Sequence, residues 1–207
     1  MGVNPQKIDV IYHGTSMMPQ QAHPSISLPE KYVLFVGSRY KYKNFVRFVQ
    51  SFAQIARKNP KLYLICTGAP FDTSELQLIE SLNLSQRALS FYANDAELAT
   101  LYHQAQAFIF PSLYEGFGIP ILEAYACQCP VILSNASCFP EIAGDAAAFF
   151  DPTDEKEMTS SIEEVLNNPI LRNELIEKGQ KRLQLYSWDK TARQTEICYQ
   201  KALSEGI

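Results

Sequence analysis

The stretch "PSLYEGFGIPILEAYACQCPVI", Pro111 to Ile132, decides how this sequence is read. It sets Glu115, Gly116 and Gly118 just ahead of an apolar run and places a second carboxylate, Glu123, inside that run. The residues leading into it, "AFIFP" (107–111), are β-formers closed by proline. Its second half, "IPILEAYAC", reads as a helix, with Pro120 in the first turn where a missing N–H costs nothing. "PVILS" (130–134) is the next strand. The stretch is a strand–loop–helix–strand unit, and its loop carries Glu-Gly-Phe-Gly.

The same alternation runs outward in both directions. "DVIYH" (9–13) reads as an opening strand, followed by a Pro-rich loop from Gly14 to Pro29. "YVLFVG" (32–37), "LYLICTG" (62–68) and "ALSFYA" (88–93) are further strands, and "AAFFD" (147–151) is a short one. Between them lie helical patterns at 43–58, 73–84 and 94–105. The first has its apolar stripe at Phe45, Phe48, Val49, Phe52, Ile55 and Ala56. Thr73 or Ser74 is the expected cap of the second helix, and Asn94 or Asp95 of the third. Helices at about 154–167 and 169–184 and from Trp188 to about Leu203 close the chain. Short strands alternating with helices make βαβ units. The expected fold is therefore α/β, a Rossmann-like parallel sheet with helices on both faces and a helical C-terminal tail, forming one domain over residues 1–207. Ligands of such sheets bind beyond the carboxyl ends of the strands, where strand order reverses. That directs attention to the loops after Gly37, Gly68, Tyr92 and Phe110.

Composition narrows the function. The chain has 207 residues and a net charge of −4, with no dense basic run, so nucleic acid is not an expected partner. No apolar segment is long enough to span a bilayer, and "MGVNPQKIDV" lacks the apolar centre of a signal peptide. Gly2 follows Met1, but Gln6 stands where a myristoylation signal wants Ser or Thr. The five cysteines are odd in number and form no C-x-x-C pair. They read as small buried hydrophobes in a reducing, cytoplasmic setting. His13, His23 and His103 are scattered, so no metal site is expected.

The chemistry sits in two loops. Gly116 and Gly118 let backbone approach a ligand, and the helix that starts beside Gly118 offers N–H groups and a partial positive charge suited to phosphate. Glu115 has the wrong charge for phosphate. It suits sugar hydroxyls, or else it is a solvated loop residue. Glu123, set among apolar residues, needs partners: a ribose diol, or a neighbouring backbone that it caps. The second loop, "VGSRYKYKNF" (36–45), places Arg39, Lys41 and Lys43 between a strand and a helix. These cations would complement a diphosphate and neutralise it as it leaves, or they form a solvated basic loop.

Taken together, these segments resemble the nucleotide-binding, C-terminal half of a family 4 retaining glycosyltransferase of the GT-B fold, over nearly the whole chain. "PSLYEGFGIPILEAYACQCPVI" carries that family's pair of glutamates, E-x7-E, between Pro-Ser and Pro-Val-Ile. "VLFVGSRYKYKNF" resembles its phosphate-binding strand and loop, "VIYHGTS" its interdomain connection, "PEIAGDAAAFFDP" the segment after the next strand and "YSWDKTARQTEICY" its closing helix. The resemblance implies catalytic roles for Lys43, Arg39 and Glu115. Lys43 would hold the donor diphosphate in the loop after Gly37, helped by Arg39 or Lys41. Glu115 and Gly116, with the amides of Phe117, Gly118 and Ile119, would take the sugar and distal phosphate. Glu123 would hold the ribose, and the base would lie near Phe91 and Tyr92. It implies transfer with retention of a hexose, mannose by preference, from a nucleotide sugar (GDP-mannose or a UDP-hexose) to a glycan or lipid-linked acceptor. No cofactor or metal is expected. The acceptor would be held by an N-terminal domain absent from this chain, and a place at the inner membrane face fits polysaccharide synthesis. A non-catalytic sugar-nucleotide sensor is the alternative. His13 stands where Asn is usual in this family and Gln128 where Gly is common.

Overall fold

The computed structural model describes residues 7–18 and 27–205. Six strands form one sheet: β1 (Lys31–Val36), β2 (Leu62–Thr67), β3 (Ala88–Phe91), β4 (Ala107–Phe110), β5 (Val131–Ser134) and β6 (Ala148–Phe150). Their order is β3-β2-β1-β4-β5-β6, with every neighbouring pair parallel. The helices are α1 (Phe45–Lys58), α2 (Thr73–Ser81), α3 (Asp95–Gln104), α4 (Ile119–Ala126), α5 (Phe139–Ala143), α6 (Glu155–Asn167), α7 (Pro169–Leu183) and α8 (Trp188–Glu205). The chain runs from β1 outward to β3, then returns to lay β4 on the other side of β1. Strand order therefore reverses between β1 and β4.

Apart from Lys31 at the start of β1 and Ser134 at the end of β5, the central strands carry apolar or aromatic residues because both faces of the sheet are covered. Successive side chains go to opposite faces. Val33, Phe35, Ile109 and Ile132 meet Phe45, Phe48 and Phe52 of α1 with Met158 and Ile162 of α6. Leu34, Val36, Phe108, Phe110 and Leu133 meet Tyr102 of α3, Ile121 and Tyr125 of α4 and Phe139 of α5. All six residues of the α1 stripe are buried. Each buried phenylalanine contributes about 1.5–3 kcal/mol relative to an exposed one.

The structure differs from the expected elements in several places. Asp9 to His13 is not a strand. β1 already has two neighbours, and the free ladders of the sheet lie at its β3 and β6 edges. The segment lies along α8 instead, where the Thr191 hydroxyl donates to the Tyr12 carbonyl at 2.6 Å and Lys201 pairs with Asp9 at 3.6 Å. Of the loop from Gly14 to Pro29, residues 14–18 and 27–29 are irregular. The remainder, with His23, lies outside the described residues, as do Gly2 and Gln6. Asp72, not Thr73 or Ser74, caps α2, because its carboxylate reaches the Glu75 amide while Glu75 reaches back to the Asp72 amide. Asn94 caps α3 in the same reciprocal way with Glu97. Lys41–Lys43 form a 3-10 turn, and α1 begins only at Phe45, after Asn44 in a left-handed conformation (φ 56°). Helix α5 was not anticipated; it spans five residues, too short for a period to show. No helix among the described residues is long and apolar enough to cross a membrane.

Helix α4 is held in place partly by α7. A Cβ on Gly179 of α7 would lie 2.5 Å from the Tyr125 ring, and the Tyr125 hydroxyl donates to the Ala146 carbonyl at 3.2 Å. Alanine favours a helix by about 1 kcal/mol over glycine, but overpacking costs about 1–3 kcal/mol. Gly179→Ala should therefore lower the urea midpoint, despite its better helix propensity. A midpoint at or above wild type would mean that α4 and α7 can move apart.

Candidate functional site

β1 and β2 both end in glycines with left-handed backbone, Gly37 (φ 104°) and Gly68 (φ 122°). The two turns touch: a Cβ on Gly68 would lie 3.1 Å from the Gly37 carbonyl oxygen. From Gly37 the chain passes to the 3-10 turn, and the Leu113 amide donates to the Tyr42 carbonyl at 2.7 Å. That bond joins the loop after β1 to the loop after β4. Across the same junction the Lys43 ammonium meets the Glu115 carboxylate at 2.6 Å, with the two side chains 12% and 15% exposed. The ammonium also lies 5.0 Å from the centre of the Phe110 ring. The two segments singled out by sequence are thus brought together at the reversal of strand order.

Glu115 opens the turn that leads into α4. Gly118 adopts φ 93° at the helix N-cap, and no side chain caps that end. A Cβ there would meet Ile121 at 3.0 Å and Phe139 at 3.1 Å, so the position requires glycine on both counts. A Cβ on Gly116 would meet nothing within 4 Å. The first turn of α4, including Ile119, offers amides and the positive end of its dipole beside Lys43 and Glu115. Phe117 fixes the turn from its other side, its ring 5.0 Å from His13 and 5.9 Å from Tyr186.

Arg39 is placed differently from Lys43. Its Nε donates to Glu75 at 2.8 Å, and one terminal nitrogen donates to the carbonyls of Ala69 and Pro70 at 2.7 and 2.8 Å. Its guanidinium lies over Phe71 and Phe45, and the side chain is 5% exposed. The other terminal nitrogen is buried without a partner. Arg39 thus ties the loop after β2 to the start of α1, while Lys41 is exposed. Phe91 ends β3 half-buried, with the exposed ring of Tyr92 beside it.

Glu123 lines a cleft of about 400 Å³ formed by Gly14 to Met18, Asp95, Ile119 and Trp188. Gly14 is obligatory there, since a Cβ would sit 2.3 Å from the Trp188 nitrogen. The partner of Glu123 within the protein is a phenol: the Tyr102 hydroxyl donates to Oε2 at 3.0 Å. Burial raises the Glu123 pKa, the Tyr102 bond opposes that, and the charge of Asp95 adds to the rise. Sequence reasoning missed Tyr102. Its signal was a tyrosine on α3 inside an apolar face, where a buried hydroxyl needs a partner. It also missed Ser137 and Cys138, which touch the Glu115–Phe117 turn from the loop after β5. Among the described residues no group of three or more His, Cys, Asp or Glu could hold a metal.

The Glu123 shift sets a pH dependence. Because its folded pKa lies above the ordinary 4.5, the folded chain keeps a proton that the unfolded chain has released. The stability tied to this group is full below that value and falls as pH rises through the folded pKa. Glu123→Gln keeps an acceptor for Tyr102 and cannot ionise. Its urea midpoint should exceed wild type at pH 7, and the gap should close by pH 4. A lower midpoint at pH 7 would show the charged form to be stabilising.

The sequence profile described as "Glycosyl transferases group 1" matches residues 19–182. The chain is 30% identical over 172 residues to the O-antigen chain mannosyltransferase B of Escherichia coli, covering 81% of this chain and 45% of that protein. It is 33% identical over 152 residues to the MMP alpha-(1->4)-mannosyltransferase of Mycolicibacterium hassiacum, covering 71% and 37%. The chain thus spans less than half the length of these curated relatives. Among solved structures, the C-terminal domain of a group 1 glycosyl transferase family protein (LpcC) from Francisella tularensis superposes with a TM-score of 0.67 at 22% identity, covering 89% of this chain and 97% of that one. This chain belongs to the group 1 glycosyltransferases, and its six-stranded sheet and helical tail have the fold of the C-terminal half of a GT-B enzyme.

Proposed function

We propose that this chain is the nucleotide-sugar-binding part of a retaining hexosyltransferase, with a mannosyl donor as the preferred substrate. One observation carries the reading: Lys43 and Glu115 meet beside the uncapped N-terminus of α4, at the reversal between β1 and β4. A diphosphate there would replace Glu115 as the partner of Lys43 and take amides from Phe117, Gly118 and Ile119. The released Glu115 would accept from sugar hydroxyls. The ribose would reach Glu123 in the adjoining cleft, and the base would lie near Phe91 and Tyr92. The kinship with mannosyltransferases supports the choice of sugar.

In this reading the bond from the anomeric carbon to the diphosphate oxygen breaks, and a bond to the acceptor hydroxyl forms on the same face. The acceptor proton passes to the departing diphosphate. Lys43 and the α4 dipole stabilise the charge that develops on the leaving group, and no metal ion is required. Arg39 supports the site by holding the loop after β2 through Glu75 and the carbonyls of Ala69 and Pro70. The acceptor is assigned to a partner region outside this donor-binding part; the chain spans less than half the length of the relatives it matches.

Titration calorimetry with GDP-mannose, GDP, UDP-glucose and UDP tests the reading and ranks the donors. Lys43→Ala should weaken diphosphate binding by about 1–3 kcal/mol, as for a hydrogen bond to a charged group. An unchanged affinity would remove Lys43 from the site. Glu123→Ala should weaken nucleotides that carry a ribose and spare their 2′,3′-dideoxy analogues. Equal losses for both would argue against a ribose contact.

A further inference from the structure

Ser137 stands out among the residues that no step above uses. It lies in the loop between β5 and α5 with a left-handed backbone (φ 56°), a conformation that glycine adopts freely and serine does not. Its hydroxyl makes two bonds, both to the backbone of Glu115: it accepts from the Glu115 amide at 3.2 Å and donates to the Glu115 carbonyl at 2.7 Å. The next residue continues the contact, since the Cys138 thiol reaches the Phe117 carbonyl at 3.2 Å. Two adjacent side chains thus hold the peptide groups at both ends of the Glu115–Phe117 turn. A turn containing Gly116, whose surroundings leave open space, has little of its own to fix it.

We infer that Ser137 is a positioning residue. Its hydroxyl clamps the Glu115 backbone, so that the carboxylate and the amides that follow are set for the donor sugar and distal phosphate before the donor arrives. Preorganisation of this kind raises affinity by removing the cost of ordering a loop on binding. The donor role rests on the function proposed above; the clamp itself does not.

Two variants separate the hydroxyl from the backbone. Ser137→Gly removes the hydroxyl and relieves the left-handed strain. Ser137→Ala removes the hydroxyl and keeps the strain. Amide hydrogen exchange and calorimetry are read on both, with thermal melting as a check on folding. The expected result is faster exchange at the Glu115 amide in both variants and GDP affinity weaker by about three- to tenfold, the worth of one or two ordinary hydrogen bonds. The Ser137→Gly melting temperature should be at or above wild type, which a purely structural role for the serine would not allow. Unchanged exchange in either variant overturns the clamp. Wild-type GDP affinity in Ser137→Ala, whatever Ser137→Gly does, overturns the role of the hydroxyl and leaves only backbone restriction. Wild-type protein that binds no nucleoside diphosphate overturns the donor-site reading itself, a result seen before any substitution is made.

Discussion

The structure depends on β1 and β4 being neighbours in the sheet although two strands and three crossover helices separate them in the chain. Connections leaving β1 turn toward the β3 edge, and those leaving β4 turn toward the β6 edge. Neither fills the space above the two carboxyl ends, and a crevice is left there by topology alone. The registered pairing of the two strands covers only Val33–Leu34 against Ala107–Phe108, short of their carboxyl ends. Into this crevice come the cations of the loop after β1 and the carboxylate and glycines of the loop after β4. Their meeting gives the Lys43–Glu115 pair and the Tyr42–Leu113 backbone bond.

Charge near a half-buried crevice must be partnered, and the molecule does this in three ways. Lys43 and Glu115 satisfy each other, an arrangement that adds little stability but keeps both charges ready for exchange with a ligand. Glu123 leans on the Tyr102 hydroxyl, so that a carboxylate inside an apolar helix still has an acceptor's partner. Arg39 is bound into the scaffold through Glu75 and two carbonyls and closes one wall. Only the first pair joins residues from both sides of the strand-order reversal, and it is the pair on which a ligand of opposite charge would act. Lys178–Asp145, with Asp145 80% exposed, contributes little by comparison.

Much of this was legible in the residues. β1, β2, β4 and β5 are short runs rich in aliphatic and aromatic residues closed by glycine, proline or serine, and all six residues of the α1 stripe are buried, with Ser51 and Ala53 added to them. Asp9 to His13 misled because β-forming side chains specify a strand only when a neighbouring ladder is free, and the sheet had none beside β1 to give. The cap of α2 misled for a smaller reason: a helix takes whichever carboxylate or hydroxyl first reaches the third amide, and Asp72 stood one residue earlier than expected.

For this protein the order of residues determined the alternation of strands and helices, the parallel sheet covered on both faces, and the chemistry of two loops: cations in one, glycines and a carboxylate in the other. Those are local properties, set by period, propensity and side-chain type. Only the tertiary structure decided which loops face each other, that Arg39 turns to Glu75 while Lys43 turns to Glu115, that Tyr102 completes Glu123, and that Ser137 grips the Glu115 backbone. Each of these is a contact between residues far apart in the chain. Such contacts depend on strand order and on the few ångströms by which one loop reaches another, and neither is encoded in any short stretch.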